Sequence, residues 1–249
     1  MKLTHQCALS LIRKSKESGG VIEKMSLIRS VFALCMVIFA ASCTGGLGPN
    51  DPISRKFNWF SYVNGDDIRK VCADLGTDRY RFVYNGIYQH QTRSYDVFFY
   101  SKKITMQVRG EAYLNNLKTD DLLAPWRGVQ EDLVINDKLL DIVRKTLKES
   151  GALHNNQKGL RLSSDKFYWT VAACVDGEFH FDAYLWGTPH WDDMAFDDLL
   201  LGLDVTGVKP VKPRVLSKTD IWGSVINARP FVLEVGENGL VGFAGGTSK

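Results

Sequence analysis

The chain has 249 residues, 45% of them hydrophobic and 24% charged, with a formal net charge of +3. That composition excludes a wholly disordered or fibrous protein. Positions 1–42 hold six basic and two acidic side chains, so the remaining 25 basic and 26 acidic residues give a net of about −1; the basic excess belongs to the N-terminal segment, and no electrostatic footprint for nucleic acid is left beyond it.

Basic residues end at Arg29, and residues 31–41 (VFALCMVIFAA) form an uncharged apolar run, followed by Ser42, Cys43, Thr44 and a Gly-rich stretch to Pro49. A helix of that length covers roughly 16 Å, about half of the roughly 30 Å hydrocarbon core, so the run fits the core of a signal peptide better than a membrane span. Ala40-Ala41-Ser42-Cys43 resembles the lipobox of bacterial lipoprotein precursors, in which small residues precede an obligatory cysteine; leucine is commoner where Ala40 stands. The resemblance covers the leader alone. It implies cleavage before Cys43, acylation of its sulfur and of the new amine, and stable anchoring by several acyl chains. The competing reading is an ordinary secretory signal cut after Ala-x-Ser, with an incidental cysteine. Initiation at Met25 would leave a conventional leader beginning Met-Ser-Leu-Ile-Arg, and Thr44 rather than Asp after the cysteine leans toward the outer membrane. The expected organisation is a signal peptide over 1–42, a lipidated tether over 43–57 and one globular domain over 58–249.

In the mature part, Asn64 followed by Asp66 and Asp67 predicts a helix start, with Ile68, Val71, Cys72 and Leu75 on one face and Gly76 as the stop. From Arg79 the period changes to two, with Tyr80, Phe82, Tyr84 and Tyr88 on one side and Arg79, Arg81 and Asn85 on the other. Strand-like runs over 94–101 and 104–109 extend this into an antiparallel meander. A helix is predicted over 137–149, capped by Asn136, with Leu139, Leu140, Val143 and Leu147 inward and Lys145 and Lys148 near its negative end. Strands over 167–175 and 178–186 are joined by Asp176-Gly177, a strong hairpin signal. Thr188-Pro189, followed by Asp192 and Asp193, predicts a third helix reaching Leu201. Residues 202–213 read as a loop, and a last strand pair over 230–243 turns at Glu237-Asn238-Gly239. Strands outnumber helices without βαβ alternation, so the fold class is α+β: a single domain, mainly antiparallel sheet, with about three short helices.

The usual catalytic signatures are missing: no Gly-x-Ser-x-Gly, His-Glu-x-x-His, phosphate loop or Cys-x-x-Cys. No motif calls for a cofactor or metal. A two-residue turn sets the hairpin register, pairing Cys174 with Phe179, Ala172 with Phe181 and Thr170 with Ala183 on one face that reads as core. The opposite face pairs Ala173 with His180, Val171 with Asp182, Trp169 with Tyr184 and Phe167 with Trp186. Trp169, Tyr184 and Trp186 beside His180 and Asp182 form the candidate ligand face, suited to stacking on a sugar or positioning a general base. The alternative packs the three aromatics under a helix and leaves His180 and Asp182 at the solvent edge. His190, Asp192 and Asp193 add potential metal ligands, although the two acids already suit a helix start. His90 and His154, and the basic runs at Lys102-Lys103 and 209–214, read as solvated loops. Cys72 and Cys174 each fall on a buried face; they are either a disulfide closing a loop of about 100 residues, contributing roughly 3–5 kcal/mol, or two buried thiols.

These observations lead to the expectation of a lipid-anchored envelope protein that acts by binding another envelope protein or a glycan. The rivals are an anchored periplasmic hydrolase using His180, Asp182 and His190, and a structural subunit of an envelope assembly.

Overall fold

The alternating pattern that begins at Arg79 builds β1 (Arg79–Gly86), which continues into β2 (Thr92–Phe98), β3 (Lys103–Arg109) and β4 (Val129–Val134). The computed structural model describes residues 55–110, 128–154, 157–216 and 230–245. The expectations for the signal peptide, Cys43 and all but the last three tether residues lie outside those residues. Two helices precede β1: α1 (Arg55–Asn64) and α2 (Asp66–Val71), the latter running into a 3-10 turn (Cys72–Asp74). After β4 come α3 (Asp137–Glu149), β5 (Arg161–Ser163), β6 (Phe167–Val175), β7 (Glu178–Leu185), α4 (Pro189–Asp192), α5 (Asp197–Gly202), β8 (Phe231–Val235) and β9 (Leu240–Gly245).

The fold is α+β. A six-stranded antiparallel sheet has the order β4-β3-β2-β1-β6-β7, and β5-β8-β9 form a second, three-stranded sheet. The β6–β7 ladder follows the register that a two-residue turn requires, from Val175 opposite Glu178 to Trp169 opposite Tyr184. Asp176 and Gly177 both take positive φ, 50° and 84°, as a type I′ turn demands.

Every residue of β6 is buried, because both faces of the main sheet are covered. One face carries Tyr80, Phe82, Tyr95, Ile104, Met106, Trp169, Val171 and Tyr184 against Leu140, Val143 and Leu147 of α3 and Phe196 and Leu200 from the α5 region. The other carries Val83, Tyr168, Ala172, Cys174 and Phe181 against Trp59 and Val63 of α1, Ile68 of α2 and Leu162, Leu233 and Val235 of the small sheet. Each fully buried large side chain contributes about 1.5–3 kcal/mol of burial free energy.

Several local expectations are corrected. A helix starts at Arg55, inside the expected tether, and Asn64 ends it rather than capping the next one. Gly65, with φ of 69°, makes the junction, where any Cβ would overlap that of Ala172 on β6. The Asn64 side chain instead donates to Asp66 and accepts the Leu240 N–H at 2.6 Å, tying α1 to β9. Val71 is exposed because α2 tightens into the 3-10 turn there. Tyr88 falls after the end of β1 and packs in the second core, on Trp59 and Phe231. Arg81 and Asn85 are buried rather than solvent-facing: Arg81 bonds Asp96 and Asp67, and Asn85 donates to the Ser164 and Lys166 carbonyls. The expected third helix is broken in two, since Phe196 plugs the core between Phe82, Trp169 and Tyr184, with ring centroids 4.9–5.6 Å away.

Candidate functional site

Beyond the β6–β7 hairpin, Leu185 leads through Gly187, at φ of 84°, into Thr188 and Pro189. Proline at the first helical position fixes the turn that brings His190 back over β7. His190 Nε2 lies 2.8 Å from Asp182 Oδ2, and its ring stacks on Tyr184 with centroids 4.2 Å apart and planes 10° from parallel. Asp182 Oδ1 accepts the Ala183 N–H at 2.8 Å, and the Tyr184 hydroxyl donates to the Ser150 carbonyl beyond α3 at 2.9 Å.

Asp182 is fully buried and the His190 side chain retains 16% exposure. Burial raises the Asp182 carboxyl above the usual carboxylate range, against the opposing pull of the Ala183 N–H and His190. Burial also pushes the Tyr184 phenol far up, and the nearby Asp182 charge adds to it. An ionised Asp182 only accepts, so Nε2 of a neutral His190 carries the proton and Nδ1 keeps the lone pair.

Two members of the sequence-derived trio therefore meet, Asp182 and His190. His180 shares the face of β7 that carries Asp182 and Tyr184 but is not hydrogen-bonded to the Asp182–His190 pair. The candidate ligand face is corrected. The alternative, burial of the aromatics, holds for Trp169 and Tyr184, which are 1% and 0% exposed beneath Phe196 and the His190 turn; of the three, only Trp186, edge-on to Phe167, offers a ring to solvent. Asp182 is likewise interior, not at a solvent edge. Asp192 and Asp193 are exposed, His154 is exposed and touches the Gly151 carbonyl, and His90 is half-buried. Among the described residues no group of three His, Cys, Asp or Glu side chains could hold a metal ion.

A buried His–carboxylate pair can orient a general base. Acyl transfer also needs a nucleophile in reach of the free ring nitrogen, and among the described residues no Ser, Thr or Cys side chain bonds His190. The nearby Ser150 hydroxyl is committed, donating to the Thr146 carbonyl and accepting the Ala195 N–H. Cys72 and Cys174 are joined in a disulfide linking the 3-10 turn to β6.

Sequence patterning did not reveal the Arg93 cluster. Arg93 is wholly buried on β2, where its guanidinium bonds Gln91, Asp204 and the Val208 carbonyl. Tyr95 donates to Asp204, Tyr84 to the Val211 carbonyl, and Gln91 to the Lys209 carbonyl. The segment expected to be a solvated basic loop thus begins as a strap across the sheet. The run expected to be a strand begins one residue after Arg93, at Ser94, so Arg93 itself gives no signal; the observed strand starts at Thr92. No family model and no curated protein matches this chain.

Proposed function

We propose that this chain is a lipid-anchored protein of the bacterial cell envelope, attached through Cys43, that works as a binding or assembly module on the periplasmic side of the outer membrane. The lipobox-like Ala40-Ala41-Ser42-Cys43 supports the address. The Cys72–Cys174 disulfide fits an oxidising compartment. The observation that carries binding over chemistry is the burial of Trp169, Tyr184 and Asp182: the most chemically equipped strand pair is committed to the core. Intact mass of the purified mature protein should show acyl additions on a chain beginning at Cys43; an unmodified product starting elsewhere overturns the address. Photo-crosslinkers placed across the surface of the membrane-bound protein should give discrete adducts with an envelope partner, and a complete lack of adducts overturns the binding role.

The 2.8 Å contact between Asp182 and His190 favours a second reading, an anchored hydrolase in which His190 is the base. His190→Gln separates the two. A hydrolase loses its activity on ester and amide probes, whereas a binding module keeps its crosslinking pattern.

A further inference from the structure

The dipeptide Asn-Gly occurs three times, at 64–65, 85–86 and 238–239, and all three copies lie among the described residues. Asparagine before glycine carries a chemical hazard. Because glycine has no side chain to obstruct the approach, its backbone nitrogen can reach the asparagine Cγ and close a succinimide ring. The attack needs two freedoms, a side chain able to swing and a glycine N–H not held elsewhere. The fold grants or withholds these separately at each copy.

At 64–65 both are withheld. Asn64 is buried, its Nδ2 donates to Asp66, its Oδ1 accepts the Leu240 N–H, and the Gly65 N–H donates to the Tyr62 carbonyl at 3.1 Å. Asn85 is wholly buried and donates to the Ser164 and Lys166 carbonyls, while the Gly86 N–H donates to the Gln91 carbonyl at 2.8 Å. Asn238 differs in both respects. It is exposed in the β8–β9 turn, and among the described residues the Gly239 N–H has no hydrogen-bond partner. A single bond restrains its side chain, from Nδ2 to the Phe179 carbonyl at 2.7 Å. That bond engages the nitrogen that would leave, not the carbon that would be attacked.

The glycine cannot be exchanged to remove the hazard. Gly239 has a φ of 142°, and a Cβ there would overlap Arg69 Nη2 and lie 2.7 Å from Asn64 Oδ1. Arg69 comes that close because its Nη2 donates to the Asn238 carbonyl at 2.6 Å while its guanidinium rests 4.3 Å from the Phe179 ring centroid. The contacts that lock α2 and β7 onto the turn therefore demand the residue that exposes Asn238 to attack.

We propose that Asn238 is a site of spontaneous deamidation, and that its conversion loosens the β8–β9 turn. The Gly239 nitrogen bonds to Cγ, the Cγ–Nδ2 bond breaks, and Nδ2 leaves as ammonia, taking up the Gly239 proton. Water then opens the succinimide at either carbonyl, giving aspartate or isoaspartate. Both products set a carboxylate where an N–H met the Phe179 carbonyl, so that bond is lost. Isoaspartate also adds one atom to the main chain. It does so between Gly236, whose N–H bonds the Gly239 carbonyl at 2.6 Å, and Leu240, whose N–H ties β9 to Asn64.

The test ages the full chain in detergent at neutral pH and follows all three copies by peptide mass and by isoaspartate content. In the folded protein Asn238 should convert about tenfold faster than Asn64 or Asn85, because conversion at those two waits for local opening. In strong urea, where no fold discriminates, the three should convert at similar rates. Asn238→Gln, whose longer side chain cyclises far more slowly, should show no conversion at position 238 and keep its melting temperature within a few degrees. Amide hydrogen exchange at Leu240 should be faster in the isoaspartate fraction than in fresh protein, and unchanged in Asn238→Asp, which keeps the ordinary backbone. Equal conversion at the three copies in the folded protein, or an Asn238 that converts only in urea, overturns the site. Conversion that leaves Leu240 exchange unchanged overturns the loosening of the turn.

Discussion

Arg93 Nη1 meets Asp204 Oδ2 at 2.5 Å, with the arginine side chain wholly buried and the aspartate 6% exposed. Removing one partner of such a pair strands a desolvated charge, which costs about 3–5 kcal/mol. Asp204→Ala should therefore lower unfolding free energy by about that amount in urea titrations. Arg93→Met combined with Asp204→Leu should recover much of the loss, because neither buried charge remains. A double variant as unstable as Asp204→Ala alone would mean that backbone contacts of the 204–211 strap dominate.

Asp204 also predicts behaviour in acid. Burial alone would raise its carboxyl, but hydrogen bonds from Thr206 and Tyr95 with the Arg93 charge hold it below the usual value. A folded-state value below the unfolded one gives stability that is present above the unfolded value, about 3.9, and is lost as pH falls through the folded value. Urea midpoints measured from pH 6 down to pH 2 should fall more steeply for the native chain than for Asp204→Asn across that window.

The Cys72–Cys174 disulfide joins positions 102 apart in sequence. In the chain-entropy model a loop of that size is worth about 4–5 kcal/mol. Both half-cystines are buried, at 3% and 0% exposure. Reductant alone should thus act slowly on the folded protein and quickly in moderate urea, as followed by thiol alkylation and mass. The Cys72→Ala/Cys174→Ala pair should unfold at clearly lower denaturant.

How far the sequence reached depends on what each signal measures. The helix over Asp137–Glu149, with Asn136 accepting the Leu139 N–H, was legible because cap, period and exit agree locally. The hairpin register was legible because Asp176-Gly177 allows few geometries. Alternation along β1 separated its faces correctly but could not tell that both are covered. Arg81 looks like a solvent residue until Asp67 and Asp96, from a helix and another strand, arrive to pair with it. The same blindness made Trp169 and Tyr184 look like a ligand platform, since Phe196, which covers them, lies in a separate segment. β4 escaped notice because its exposed VQEDLV run has little hydrophobic contrast.

The burial difference between two tryptophans gives a direct test of that correction. Trp169, at 1% exposure, packs on Tyr84, Tyr95 and Phe196, whereas Trp186 is 38% exposed and meets the Phe167 ring edge-on. Trp169→Ala should cost about 3–5 kcal/mol, and Trp186→Ala far less. Similar losses at both positions in thermal or urea unfolding would contradict the core placement of Trp169.

His190 governs how expensive it is to keep Asp182 charged in the interior. Burial raises the folded carboxyl above its unfolded value, so Asp182 costs stability as pH rises from about 3.9 through the folded value. The His190 bond opposes that rise by stabilising the charged form. His190→Ala removes the donor and should push the carboxyl higher still, enlarging the cost at neutral pH. The imidazole also takes up a proton at about pH 6.5 in the unfolded chain, so the coupling is isolated at fixed pH by a double-variant cycle rather than by a pH series. At pH 7 the stability lost on His190→Ala should be larger in the native background than in an Asp182→Asn background, where no charge has to be stabilised. Equal losses in the two backgrounds, measured by urea titration, would mean that His190 acts by its stacking on Tyr184 alone.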